Sequence, residues 1–565
     1  MTKTISTSST RRCPAVSWLA GLAAAMIIVA MPWGQASAQG TGGKPILAGP
    51  LAKLNIKDAE IATKRDTPKG TLTIGWHFAL DPGWLNPLEH QLTGIQQAFD
   101  YFAQDALIKP MPQGDTTYSL AEYAEMTADY KKAAFRLRPG LKFQDGSPLT
   151  SADVKWTYEN FRGARAKLFH DKTDKIEIVD DLTIVFHFKE PFVDFMDLYN
   201  GYATGIGWIV SGKYYEKVGK DGFKQQPMGP GPFKLVSQQA GTEMVFEAWD
   251  GYWRRAPGVQ KIVVRAIRDP AARLAGLQTG ELDLAYGLTG KLLPRVMGDK
   301  NLRWDKNFTS SWFFAFPGYA EKDSPFHDKR VREAVSLSLN RAFLSQQETQ
   351  GIGPPWGNWL SSEQPDVLRG DGTDLPVPEY NPAKAKKLLA EAGFPNGFDF
   401  DWLVPFPPYF DLGQRLLADL GAVGIRGKLE VLEGPAYQAK SAKGRKGFAG
   451  NRTIVKRIDV RSAWEAIPIN AVCDGPAAFV CDPKLDELWK KHEASLDQEE
   501  RASLSAEIQQ ILIKEFYLVP IYMNPFVHAV GPKVLPEGDG FHRYWDTKRA
   551  PFPYPWEIWE VKTSG

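Results

Sequence analysis

The chain has 565 residues, 43% of them apolar, with 68 Lys and Arg against 66 Asp and Glu and a formal net charge of +2. That balance gives no electrostatic case for nucleic acid or an anionic membrane surface as a partner. The apolar fraction fills real cores, and the length exceeds what one core usually holds, so two or three domains are expected.

Residues 1–38 read as a secretory signal peptide. Lys3, Arg11 and Arg12 make a positive start, Val16–Met31 is an apolar run, and Ala36-Ser37-Ala38 supplies small residues for cleavage. The run is too short and wrongly flanked for a comfortable membrane span. An uncleaved anchor and a twin-arginine signal are the alternatives, and Cys13-Pro14 stands where the second would need apolar residues. Export to a bacterial periplasm is the natural reading. Cleavage removes three positive charges and no acidic ones, taking the net charge from +2 to −1. Residues 39–69, rich in Gly, Lys, Pro and Ala, read as a loosely held arm.

Strands and helices then alternate. Phe135 and Leu137 alternate with charged residues as on a half-buried strand. Pro139-Gly140 and Asp145-Gly146 are turn pairs. Thr150 and Asp153 fit a capping box, after which Val154, Tyr158 and Phe161 recur at helical spacing. Ile176 to Phe188 reads as a hairpin turning at Asp180-Asp181, with Ile176, Ile178, Ile184, Phe186 and Phe188 on one face. Met244–Trp249 and Lys261–Ile267 read as further strands. Asp328 caps a helix carrying Val331, Val335 and Leu339. Asn381-Pro382 opens another, which Gly393 ends. Asp482-Pro483 and Asp497 begin two more, the second carrying Leu504, Ile508, Leu512 and Phe516.

Two cysteines survive cleavage, Cys473 and Cys481. In an oxidising compartment they are expected to pair. A two-cysteine metal site is the other reading, but no Cys or His lies at local ligand spacing to complete it. Searches for chemistry fail elsewhere. No G-x-S-x-G elbow, H-E-x-x-H pair or Gly-Lys-Ser/Thr phosphate loop occurs, and the eight histidines are scattered. Pro354-Pro355 after Gly351-Ile-Gly353 removes amide donors that a phosphate would need. Acidic pairs such as Asp180-Asp181 and Glu499-Glu500 read as solvated charge. No cofactor is implied.

The segment Arg136-Leu-Arg-Pro-Gly-Leu-Lys-Phe-Gln-Asp-Gly-Ser-Pro-Leu-Thr-Ser-Ala-Asp-Val154 closely resembles a signature of the solute-binding proteins of ABC importers for dipeptides, oligopeptides and nickel. Seven further landmarks of that family recur in order: Asp81-Pro-Gly-Trp-Leu-Asn-Pro87, Leu120-Ala-Glu122, Met228-Gly-Pro-Gly-Pro-Phe-Lys-Leu235, Asp250-Gly-Tyr-Trp253, Arg330-Val-Arg-Glu-Ala334, Ala383 to Gly393, and Asp482-Pro-Lys-Leu-Asp-Glu-Leu488. Each alone is weak; their order is specific.

The resemblance implies an α/β, two-lobed periplasmic binding protein with an extra subdomain, hinged where the chain crosses near Ser311–Phe316 and again near Val519–Pro525. It implies lobe I from residues 70–95 and 231–310, its subdomain from 96–230, lobe II from 311–519, and a return to lobe I over 520–565. A solute would be held between the lobes of a monomer and delivered to the membrane subunits of a permease, with no catalysis. The first ligand class implied is a peptide or peptide-like solute. Oligosaccharide, opine-like conjugate and nickel chelate are compatible alternatives, and a secreted hydrolase is the remaining one.

Core packing must explain most of the 18 Trp, 19 Tyr and 31 Phe. Those near the implied crossing and on loops, namely Trp312, Phe314, Trp356, Trp359 and Tyr409, are candidate ligand contacts, since rings offer apolar faces to side chains, sugars or cations. The sequence departs from the family at Asp459-Val-Arg-Ser-Ala-Trp-Glu-Ala-Ile-Pro468. Peptide-binding relatives place "W-x-x-D-Y-x-D-P" there, with an aspartate that pairs with a peptide ammonium. Trp464 keeps the tryptophan, Glu465 is a candidate replacement for the carboxylate, and Arg461 would favour an anionic group instead.

Overall fold

The computed structural model describes residues 45–59, 61, 67–90, 94–111, 114–163, 165–200, 206–288, 290–362, 366–405, 410–432, 453–457, 463–475, 478–535 and 563. Residues 1–44 and most of the C-terminal thirty residues lie outside that set.

Sixteen strands are described. The first seven are β1 (Thr71–Trp76), β2 (Ile108–Met111), β3 (Gly114–Tyr118), β4 (Ala121–Met126), β5 (Lys132–Leu137), β6 (Thr173–Asp180) and β7 (Thr183–Phe188). Next come β8 (Phe233–Gln239), β9 (Glu243–Ala248), β10 (Lys261–Ala266), β11 (Leu284–Ala285) and β12 (Arg303–Ala315). The chain ends with β13 (Phe398–Pro405), β14 (Ile425–Leu432), β15 (Thr453–Arg457) and β16 (Leu518–Val530). Ten of them form one sheet in the order β14-β13-β15-β12-β16-β11-β1-β10-β9-β8; β2 and β3 make a separate ribbon, and β4-β5-β7-β6 a four-stranded sheet.

The two longest strands explain how one sheet serves two lobes. β12 and β16 run antiparallel from Arg303 opposite Val530 to Ala315 opposite Leu518. At one end they continue through β11 into β1, β10, β9 and β8; at the other, β12 continues through β15 into β13 and β14. The apolar residues divide accordingly. One core gathers Phe313, Val331, Trp402, Leu416, Ile467, Leu485 and Ile508. Another gathers Leu72, Ile74, Phe99, Phe246 and Ile262. A third, under the four-stranded sheet, gathers Phe135, Tyr158, Phe186 and Phe195. The molecule is two-lobed, with β12 and β16 as the crossing segments. Their ladder is interrupted between Asn307 and Ser310 and between Trp312 and Phe313. Such irregularities bend and twist a strand pair, which suits a crossing that must flex.

Local chemistry accounts for the element boundaries. Asp153 accepts from the Thr150 amide at 3.1 Å, closing the capping box of the helix Ser151–Glu159. That helix stops before Phe161, which is nonetheless buried in the third core. The helix Lys329–Ser338 likewise ends one residue before Leu339. In the hairpin of β6 and β7, Ile178 pairs with Ile184 but is 42% exposed, because β6 is the edge of its sheet and its register slips between Ile178 and Asp180. The signature loop has a structural task. The Gln144 side chain donates to the carbonyls of Gly231 at 3.1 Å and Phe233 at 2.6 Å, joining the Lys142–Gly146 turn to the loop that enters β8. A Cβ on Gly229 would sit 2.0 Å from Gln104 Oε1 and 2.3 Å from the Ala103 carbonyl, so only glycine fits there.

Candidate ligand-binding site

The crossing strands carry a compact polar and aromatic group. The Trp312 indole donates to Asn524 Oδ1 at 3.1 Å, and Asn524 Nδ2 donates to Ser310 Oγ at 3.3 Å. All three residues are buried. Behind them, Ser311 Oγ donates to the Asn358 carbonyl at 2.9 Å, and Ser361 Oγ donates to the Phe308 carbonyl. These bonds tie the crossing to the loop that carries Trp356 and Trp359. That loop also pairs with β16. Pro355 bridges Tyr522, the Met523 amide donates to the Pro354 carbonyl at 3.0 Å, and Gly353 lies so close that a Cβ would meet the Met523 carbonyl at 2.2 Å.

The predicted aromatics occupy different environments around this point. Trp312 and Trp356 are almost wholly buried, and each satisfies its indole N–H, Trp356 by donating to the Leu360 carbonyl at 2.6 Å. Trp359 meets Phe313 edge to face at 6.0 Å, and Phe314 packs against Trp402 at 5.0 Å, both at 0% exposure in the core of the second lobe. Tyr409 and Arg461 lie outside the described residues. Trp464 and Glu465 fall on the described helix Ala463–Asn470. That helix is anchored at its start by the Ala463 amide donating to Asp366 at 3.0 Å. Cys473 and Cys481 are joined as a disulfide just beyond it.

On the first lobe, the wall beside the crossing is aromatic as well. Trp76 meets Tyr286 at 5.1 Å and His77 meets Phe526 at 5.3 Å. His528, opposite Asp305 on β12, is pushed down to about 3 by burial. It is therefore neutral at any physiological pH.

Sequence reasoning missed the group that holds the first lobe to its subdomain. Asp105 is fully buried and accepts from the Ala106 amide, Ser119 Oγ, Tyr252 Oη and Trp253 Nε1 at 2.6–2.9 Å, with Lys109 Nζ at 2.8 Å. Burial alone would raise its pKa. Lys109 and the hydrogen-bond donors outweigh that and hold the carboxyl below its ordinary range. The Asp250-Gly-Tyr-Trp253 landmark thus owes its Tyr and Trp to one carboxylate far away in sequence. A signal was available in the four-residue spacing of Asp105 and Lys109. A groove of about 600 Å³, lined by Gln144, Tyr214, Met228 and Lys234 among others, runs along β8 at the far edge of the sheet from the crossing. It shares none of the crossing residues.

Among the described residues no group of three His, Cys, Asp or Glu is arranged to hold a metal ion, and no helix is long and apolar enough to cross a membrane.

The family model of the bacterial extracellular solute-binding proteins, family 5, matches residues 116–457, more than half of the chain. The chain belongs to that family. It is a family 5 solute-binding component of an ABC importer. Among curated relatives, the glutathione-binding protein GsiB of Salmonella typhi is 27% identical over 429 residues, covering 73% of this chain and 81% of its own. The dipeptide-binding protein of Escherichia coli is 26% identical over 358 residues, covering 58% and 65%. Among solved structures, the binding protein MoaA of A. tumefaciens in complex with mannopinic acid superposes with a TM-score of 0.73 at 23% identity, covering 88% of this chain and all of that one. DppA of Helicobacter pylori in complex with the peptide STSA gives 0.72 at 20% identity, covering 88% and 98%. At those identities the structural matches establish the two-lobed family 5 fold and nothing about the solute.

Proposed function

We propose that this family 5 protein captures a peptide or peptide-like organic solute between its lobes in the periplasm and passes it, chemically unchanged, to a permease. The observation that carries the ligand class is the similarity over 73% of the chain to a protein whose ligand is glutathione, a peptide bearing both an ammonium and carboxylates. The crossing is the place we assign to the solute. Trp312, fixed by Asn524, and Trp356, fixed by the Leu360 carbonyl, form its second-lobe wall. Phe314 and Trp359 support that wall from the core. From the sequence, Tyr409 and Trp464 are further candidate contacts, with Glu465 the candidate to receive an ammonium and Arg461 a carboxylate.

A second reading has a specific observation in its favour. No Asp-Tyr pair follows Trp464, where Ile467-Pro468 stand in its register, and Arg461 lies just before, which suits an anionic conjugate of an amino acid better than a simple peptide. The two readings separate in a thermal-shift screen of the mature chain stripped of carried-over solute. Glutathione and free-amine peptides stabilise it on the first reading, and acetylating the amine abolishes the effect. Opine-like acids alone stabilise it on the second.

A further inference from the structure

A second contact joins the lobes away from the crossing strands. Asp194 sits on the turn Val193–Phe195, fixed by Phe192 and Phe195, both buried in the core of the subdomain. Arg501 sits near the start of the helix Gln498–Lys514, whose Ile508 and Leu512 are buried in the core of the second lobe. Arg501 Nη2 donates to Asp194 Oδ1, and its Nη1 donates to the His492 carbonyl at 2.8 Å. The two side chains are only 8% and 22% exposed, and 307 residues separate them in the chain.

The surroundings show that charge is concentrated on this seam. On the subdomain, Lys172 pairs with Glu190 at 2.9 Å and lies over the Phe192 ring at 5.4 Å. On the second lobe, Glu493 neighbours Arg501. Burial raises its pKa, and Asp194 and Glu190 raise it further against the pull of Lys172 and Arg501. His492 stacks on Trp489 at 4.6 Å and is pushed down to about 3 by burial and then by Arg501, so it adds no cation of its own. Arg501 is therefore the cation of the second lobe that meets the carboxylate of the first. Gln509 on the same helix accepts from Asn358 of the loop bonded to Ser311, and Arg501 lies about 12 Å further along the helix, so the pair is set apart from the crossing strands. A charge-assisted bond between rigid cores, partly shielded from water, exists only while the lobes are together. Whatever exists only in one state shifts the balance toward it, and apparent ligand affinity scales with the fraction of the binding-competent state.

We propose that Asp194 and Arg501 form an inter-lobe latch, a pair of positioning residues that sets the open–closed balance, and with it solute affinity and release, without touching the solute. The inference rests on the two-lobed fold and not on which solute is bound.

The test uses the stripped mature chain, its Asp194→Asn variant, and a charge-swapped variant carrying Asp194→Arg with Arg501→Asp. Asp194→Asn is the primary variant because it leaves the Arg501 bond to the His492 carbonyl intact. Thermal unfolding confirms that each is folded. Small-angle scattering at low ionic strength then reads the mean separation of the lobes with no ligand present. The latch predicts a larger radius of gyration for Asp194→Asn than for the parent, recovery toward the parent value in the swapped variant, and convergence of parent and Asp194→Asn at high salt. With glutathione as probe, release from Asp194→Asn is expected to be about tenfold faster, a change of about 1.4 kcal/mol. Superimposable scattering from folded parent and Asp194→Asn overturns the latch. If the parent does not bind glutathione at all, the peptide-like reading fails at that point, and the scattering still decides the latch.

Discussion

Asp105 makes the most exacting prediction, because five groups converge on one buried carboxylate. In Asp105→Ala the Lys109 ammonium, 1% exposed, loses its partner at 2.8 Å, and the Ser119, Tyr252 and Trp253 donors lose theirs. Removing one partner of a buried ion pair costs about 3–5 kcal/mol. Spread over a cooperative unit of 150–250 residues, that lowers its melting temperature by roughly 10 °C. Lys109→Met removes the cation but leaves the carboxylate its four hydrogen-bond donors, so it should cost less, and Asp105→Leu with Lys109→Met should be milder than Asp105→Ala alone. The pH dependence has a definite sign. Asp105 is depressed in the folded state, so its contribution is complete above the unfolded value near 3.9 and is lost as pH falls through the folded one. Asp105→Ala should therefore lose little further stability on acidification into that range, where the parent does. Denaturant unfolding followed by tryptophan fluorescence, paired with calorimetry to resolve the lobes, measures both effects. The reasoning is refuted if Asp105→Ala unfolds within about 1 kcal/mol of the parent, or if Lys109→Met proves the costlier change.

Three buried histidines make further pH predictions. His90, His492 and His528 are each held down to about 3, chiefly by burial, so the unfolded chain binds protons between about 6.5 and 3 that the folded chain does not. Stability should fall as pH drops below 6.5, by up to about 1.4 kcal/mol per pH unit for each histidine, as denaturant midpoints across that range will show. Asp100, 3.2 Å from His90, works the other way: burial raises its carboxyl well above the usual range, so it favours the folded state at low pH. Asp100→Asn should stabilise the protein more at pH 7 than at pH 4. Replacing the Cys473–Cys481 bridge by Ser residues removes a short loop constraint and should cost about 2–3 kcal/mol, seen as a lowered denaturant midpoint that reductant no longer changes. Trp464→Ala should weaken solute binding by calorimetry while leaving the unfolding transition in place; unchanged affinity would remove Trp464 from the site.

The capping residues Thr150, Asp328, Asn381, Asp482 and Asp497 were legible in the sequence, because a cap is a contact within four residues. The crossings were legible through the resemblance, whose landmarks bracket the first on both sides and precede the second. Which aromatics would be fully enclosed was not legible. Trp312 and Phe314 differ by two positions on one strand, yet one bonds Asn524 and the other packs on Trp402, and alternation gives parity without saying what lies on either face. Ile178 fits the alternation of its hairpin and is still exposed, since edge position depends on the order of strands in the sheet. Asp105 with Tyr252 and Trp253, and Asp194 with Arg501, are 147, 148 and 307 residues apart, beyond any local pattern. Arg461 and Tyr409, two of the residues on which ligand class turns, lie outside the described residues.

Isothermal titration of the stripped mature chain with glutathione, and then with its N-acetylated form, tests the central claim most directly. The account predicts saturable one-to-one binding of glutathione, weakened when the amine is capped, with the solute recovered unaltered. No binding of glutathione or of any free-amine peptide to a folded chain, or recovery of a cleaved product, would contradict it.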